Sequence, residues 1–326
     1  MTFLSKPVIA ATPAETRIVE ATFEAGPAAS PVPAHVEVAA RRYSTLDVSL
    51  DATSGIFWCH MKPAGRPSFT PELLHEISDM QLWIEQMFQA RSHERKLPFQ
   101  YFVMGSRLPG IFNLGGDLGL FAERIRQGDR ATMREYGHVA VEAIYRNHVA
   151  FRSPVVTMAL VQGDALGGGF ECALSLDLIV AERSAKLGLP EILFNLFPGM
   201  GAYSFLSRRL DAQRAEKMIT SGKIYTAAEL HEMGVVDVLA EDGEGELAIE
   251  EYVEKNRRKH NAHQAVLQAR RRVNPVTLDE LRDVVDIWVE AALRLEEPDL
   301  RKMVRLTQAQ DRRRAAVNAS LMVAAE

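Results

Sequence analysis

The chain has 326 residues, 47% of them apolar, and a formal net charge of −5. It is long enough for one large domain or two small ones, and it lacks the run of roughly eighteen apolar residues that a helical membrane span needs. The acidic balance argues against nucleic acid as a partner, because phosphate contacts demand a concentrated basic face.

Residues 1–38 are rich in Ala, Pro, Thr and Glu without a sustained period, and read as a flexible arm. In TLDVSLD, Leu46, Val48 and Leu50 alternate with polar residues, which predicts a half-buried strand. GIFWCHMKP (55–63) predicts a second strand, buried on both sides, and DATSG closes the hairpin. Thr70 as N-cap and Pro71 at the first helical position open an amphipathic helix carrying Leu73, Ile77, Met80, Ile84 and Met87. FQYFVMGS (99–106) is a strand, GDLGLFAERIRQ a short helix and DRATMREYGHVAVEAIYRNHVAF a long one. SPVVTMALVQG (153–163) and DLIVAE are further strands, with a glycine-opened helix between them and an LPEILFNLF helix after them. From Ala227 onward the chain reads as mostly helical, LDELRDVVDIWVEAALRLEE and EPDLRKMVRLTQAQ being the clearest periods. Strands separated by helices imply an α/β core over 39–226 and a helical C-terminal cap over 227–326.

Cys59 and Cys172 are far apart in apolar contexts, so neither a disulfide framework nor a metal knuckle is expected, and a reducing cytoplasm is the natural compartment. PVIAA near the N-terminus is shorter than a signal-peptide core. His260 and His263 are the closest histidine pair, with no acid or cysteine to complete a ligand set, so no metal centre is expected. The basic clusters at 257–260, 269–273 and 311–314 read as solvated helix faces, and 239–252 as a strongly acidic loop, an awkward dock for an acidic partner.

Chemistry concentrates in two glycine-rich turns, GIFNLGGDL (110–118) and ALVQGDALGGGFE (159–171). A strand that feeds a glycine-rich helix start leaves free backbone amides, which attract negative charge. Two such amides from separate turns can converge on one oxygen, each typically worth ~2.7–4 kcal/mol of barrier, and glycine is needed so that no side chain blocks the approach. Glu171 sits among Phe170, Cys172, Ala173 and Leu174, where an apolar residue is usual, and Glu191 follows Pro190 at another helix opening. The helix dipole alone favours a glutamate at either place, by ~0.3–1 kcal/mol. Two glutamates together with two amide-donor turns point to chemistry rather than capping. DALGGG is no dinucleotide fingerprint, so no flavin or nicotinamide is expected.

NLGGDL, SPVVTMALVQGDALGGGFECALSLDLIVAE and LGLPEILFNLFPGMGAYSFLSRRL resemble the crotonase (enoyl-CoA hydratase) superfamily. In the wording FECALS and PEILFNLFPGMGA they are most similar to the bacterial diffusible signal factor synthases, which make cis-2-unsaturated fatty acid signals. The resemblance implies a crotonase-like spiral of ββα units, usually trimeric, with a helical C-terminal cap. It makes the amides of Gly116 and Gly168 the oxyanion donors, Glu171 and Glu191 the catalytic pair, and Met200, Trp288 and Leu306 the lining of the acyl pocket. It implies dehydration of a 3-hydroxyacyl thioester carried by acyl carrier protein or CoA, followed by hydrolysis to the free acid. A receiver domain of a sensor kinase is the regulatory partner it implies. Two alternatives stand beside this one: an ordinary CoA-dependent enoyl hydratase of fatty-acid oxidation, and a binding protein on the same fold.

Overall fold

In the computed structural model, which describes residues 32–309, the hairpin strands β1 (Leu46–Asp51) and β2 (Ile56–Met61) pair antiparallel and open a six-stranded sheet. The sheet continues in parallel through β3 (Tyr101–Ser106), β5 (Val156–Val161), β7 (Leu178–Glu182) and β10 (Val238–Ala240), in the order β1-β2-β3-β5-β7-β10. β3 and β5 are almost wholly buried, as expected of parallel strands covered on both faces. A second, four-stranded sheet forms from three-residue strands: β4 (Ile111–Asn113), β6 (Asp164–Leu166), β8 (Lys186–Gly188) and β9 (Ile224–Thr226). These four were not anticipated from the sequence. Three residues carry too little alternation to show a period, and GIFNLGGDL reads as a turn because its glycines dominate it.

From β3 to β7, each long strand is followed by a short one and then by helix. β3 leads to β4, then α3 (Leu118–Arg126) and α4 (Arg130–His148). β5 leads to β6 and α5 (Gly168–Ser175), and β7 to β8, a short 3-10 turn, α6 (Ala202–Arg209) and α7 (Ala212–Ser221). This is the expected α/β spiral of ββα units. The remaining helices are α1 (Ala34–Ala40), α2 (Pro71–Ala90), α8 (Ala227–Glu232), α9 (Gly245–Asn256), α10 (His260–Val273) and α11 (Leu278–Ala292), and residues 297–309 are helical. The Thr70 hydroxyl accepts from Leu73 N at 3.2 Å, and Leu73, Ile77, Met80, Ile84 and Met87 are all buried, so α2 follows its sequence pattern. No helix among the described residues is long and apolar enough to cross a membrane.

Three expectations are corrected. The expected arm contains a helix, α1, whose Val38 is buried in the core; residues 1–31 lie outside those described. The acidic stretch is a loop only between β10 and Gly245, after which α9 begins; glutamates suit its positive N-terminal end. The arginines of 269–273 are not all solvated: Arg271 Nη2 donates to both oxygens of Asp177 at 2.6 Å and Arg270 Nη2 to one at 2.9 Å. Asp177 is 2% exposed and also accepts from Thr157 N and Oγ1, both at 3.1 Å. A charge so buried must be paired, and no periodicity in the sequence reveals its partner. The cluster at 311–314 lies outside the described residues. Replacing Asp177 by Ala leaves the largely buried Arg271 and a strand amide unpaired, with an expected loss of ~3 kcal/mol of stability, readable by urea denaturation.

Candidate active site

The two glycine-rich turns meet. β6 ends at Leu166, Gly167 takes φ 53°, and α5 starts at Gly168, whose amide has no acceptor within its own helix. β4 ends at Asn113 and the chain turns through Gly115 at φ 89° to Gly116. A Cβ on Gly115 would stand 2.9 Å from Gly168 N, and one on Gly168 would stand 3.5 Å from Gly116 N. A Cβ on Gly169 would overlap the Asn113 carbonyl oxygen, and one on Gly167 would overlap Glu191 Oε1. The approaches at Gly115, Gly167 and Gly169, under 3 Å, are open to glycine alone.

Glu171, 1% exposed, lies in the first turn of α5. Its Oε1 accepts from Met200 N at 2.7 Å and from Ala202 N at 2.9 Å, on either side of Gly201 at φ 109°. The PGMG turn therefore pins one carboxylate oxygen and leaves the other free. Glu191 sits in the 3-10 turn Pro190–Phe194, not in the longer helix that its surroundings predict. Asn195, left-handed at φ 61°, ends that turn after little more than one revolution and keeps Glu191 over Gly167. Glu191 Oε2 is buried and makes no hydrogen bond.

Burial raises both carboxyls. Glu171 is pushed up to about 7, held back by its two backbone hydrogen bonds. Glu191 is pushed up to about 8, by burial first and then by the charge of Glu171. When the pair shares one proton, that proton rests on Glu191, because two amides stabilise the Glu171 anion while Glu191 has only its own. The raised values have a cost in stability. Above the ordinary carboxylate range the folded protein still binds protons that the unfolded chain has released, so stability falls as pH rises from about 4.5 toward about 8. Glu191→Gln removes that residue's share of the penalty, and its stability, read from melting curves, is expected to exceed that of the parent by an amount growing from pH 5 to pH 8, on the order of 1 kcal/mol or more.

Glu171 and Glu191 face one cavity of about 480 Å3, counting its open mouth, which Gly116, Gly168, Met200 and Trp288 also line. Six of the seven residues named from the sequence thus come together. Leu306 does not line the cavity; it is half-buried against the main core within residues 297–309. The sequence gives no sign that Phe121, Tyr136 and Val285 belong here. The Phe121 ring meets Trp288 at 5.1 Å and Tyr136 at 5.0 Å, both edge to face, and the Tyr136 hydroxyl donates to the Phe69 carbonyl. Val285 lies against Gly137, which brings α11 onto α4. Aromatic residues at helical spacing announce burial, but not which neighbours they find. The result is an apolar chamber with two carboxylates and two glycine amides at one end, able to move protons beside a polarised oxygen.

Known proteins agree with this architecture. Residues 80–285 match the model of the enoyl-CoA hydratase/isomerase family. The chain is 38% identical over 130 residues to the 2,3-dehydroadipyl-CoA hydratase of Escherichia coli (strain K12), covering 40% of this chain and 50% of that protein. It is 36% identical over 135 residues to the peroxisomal fatty acid beta-oxidation multifunctional protein AIM1 of Arabidopsis thaliana, covering 41% of this chain and 18% of that one. The chain thus spans at most half the length of these two relatives. The crystal structure of enoyl-CoA hydratase from Bacillus halodurans superposes with a TM-score of 0.65 at 19% identity, over 81% of this chain and all of that one, a likeness of fold. With a family model matched across well over half its length, on the ββα spiral that carries both glycine turns, the chain belongs to the enoyl-CoA hydratase/isomerase family.

Proposed function

We propose that the protein reversibly hydrates the C2–C3 double bond of an acyl thioester. The observation that carries this reading is the asymmetry of the glutamates: Glu171 anchored by two amides through one oxygen, Glu191 with its Oε2 buried and without a hydrogen bond, and raised further. Glu171 takes a proton from water as its oxygen bonds to C3. The π electrons move through C2 onto the thioester oxygen, and the amides of Gly116 and Gly168 stabilise that enolate. The enolate collapses as Glu191 gives its proton to C2. Dehydration runs the same steps backwards: Glu191 removes the C2 proton and Glu171 protonates the departing hydroxyl.

The finer reading is synthesis of a cis-2-unsaturated fatty acid signal. Here a 3-hydroxyacyl group on acyl carrier protein is dehydrated, and water activated by a glutamate then attacks the carbonyl, releasing the free acid and the carrier thiol. The signal-synthase wording of FECALS and PEILFNLFPGMGA supports it. The rival reading, a CoA-dependent hydratase that keeps its thioester, is supported by the relatives named for CoA substrates and by a resting pair whose proton lies where hydration needs it. A homotrimer and a sensor-kinase receiver domain as partner rest on the same resemblance as the signal synthase.

The purified protein is tested with a 3-hydroxyacyl carrier-protein thioester and, separately, with an enoyl-CoA, the products being identified by mass spectrometry. Free cis-2-unsaturated acid supports the synthase, and 3-hydroxyacyl-CoA without free acid supports the hydratase. Binding with no turnover on either substrate overturns both. Trp288→Ala is expected to shift the preferred acyl length upward by two or more carbons, by roughly tenfold in relative kcat/KM, because the indole closes the chamber against Phe121.

A further inference from the structure

We infer that Asn113 is a positioning residue that sets the separation of the two amides serving the thioester oxygen, an inference that rests on the reaction proposed above. Asn113 is the last residue of β4 and is 1% exposed, an unusual place for a carboxamide. Its Oδ1 accepts from Gly115 N at 2.8 Å. Its own carbonyl oxygen and Cβ press on Gly169, so closely that a Cβ there would overlap the former and stand 3.1 Å from the latter. One residue therefore holds both turns: the side chain fixes the turn that presents the Gly116 amide, and the main chain fixes the start of α5, which presents the Gly168 amide.

The Gly115 turn is also held from the side of residues 67–69. Leu114 N donates to Pro67 O at 2.7 Å, and Phe69 N donates to Gly115 O at 2.8 Å. Both bonds pull toward residues 67–69, away from α5. The Asn113 carboxamide supplies the opposing restraint and satisfies a buried amide at a left-handed residue. Without it, Gly115 N lacks an acceptor, and the turn relaxes toward Pro67 and Phe69 to recover one. That movement carries Gly116 N away from Gly168 N. Hydrogen bonds to a developing oxyanion are steep in distance, so the loss falls on the transition state and spares ground-state binding. Asn113 does not line the cavity and touches no reacting atom.

The test uses two variants of nearly equal volume: Asn113→Asp, which keeps an acceptor, and Asn113→Leu, which has none. With an enoyl-CoA substrate, Asn113→Leu is expected to lose kcat by about tenfold to a hundredfold, with KM changed less than about threefold. Bound cinnamoyl-CoA, whose absorption moves to the red when its carbonyl is polarised, is expected to lose most of that shift in Asn113→Leu. Asn113→Asp is expected to keep most of both signals. A fold defect would lower active-site occupancy and melting temperature without changing the wavelength of the bound fraction, and that pattern overturns the inference. So does wild-type kcat and red shift in Asn113→Leu, which leaves the proposed reaction standing, and so does an equal loss in both variants. If the parent protein neither hydrates the enoyl-CoA nor shifts the bound chromophore, the proposed reaction falls and this inference falls with it.

Discussion

Replacing Glu171 or Glu191 by Gln is expected to lower kcat/KM for hydration of an enoyl thioester by about 10²–10⁴, the usual range for removing one positioned acid or base. Gln keeps the shape of each side chain, and at position 171 its carbonyl oxygen can still accept from Met200 N and Ala202 N. The folds should survive, and the losses should appear in kcat more than in KM. The parent pH profile is the companion measurement. The active form carries one proton between the two glutamates, so kcat/KM is expected to fall on both sides of a narrow maximum. The acid limb reflects protonation of the anion and the alkaline limb loss of the shared proton, with apparent values near 7 and 8 belonging to the pair. Either single Gln variant should lose one limb. A variant that keeps near-parent turnover and a bell-shaped profile is incompatible with a two-glutamate mechanism.

Gly168→Ala is expected to have the second large effect, about 10²–10³ in kcat. A methyl there stands 2.7 Å from Met200 Sδ and 3.3 Å from Gly115 Cα. The Met200 thioether can swing away, but the Gly115 backbone cannot without moving the Gly116 amide, and a shifted Met200 intrudes on the cavity. The substitution therefore separates the two donors and narrows the space between them. Because alanine favours a helix start more than glycine does, thermal stability should change little while turnover collapses. Steady-state kinetics with parallel melting curves check this; full activity in a stable Gly168→Ala protein would show that the thioester oxygen does not sit between these turns.

Much of the fold was legible because it depends on local order. Thr70, Pro71 and the buried positions of α2 state a helix within one segment, and Leu46, Val48 and Leu50 state a strand. The short strands β4, β6, β8 and β9 exist only because their neighbours supply hydrogen bonds, so no window of sequence contains them. The same holds for the Asp177 pairing with Arg270 and Arg271, more than ninety residues along the chain.

For the site, the chain alone supplied the chemical inventory: the glycine-rich turns and the glutamates set in apolar surroundings. Distance was decided in three dimensions. Tertiary packing wrapped the PGMG turn around one oxygen of Glu171, shortened the helix after Pro190 so that Glu191 lies over Gly167, and laid Trp288 and Val285 across the chamber while leaving Leu306 half-buried against the core. Residue types fix which protons and charges are available, because ionisation and conformational freedom are properties of single side chains. Which of those groups meet, and how far burial raises their affinity for a proton, depends on contacts between segments distant in the chain, and those are set when the core closes.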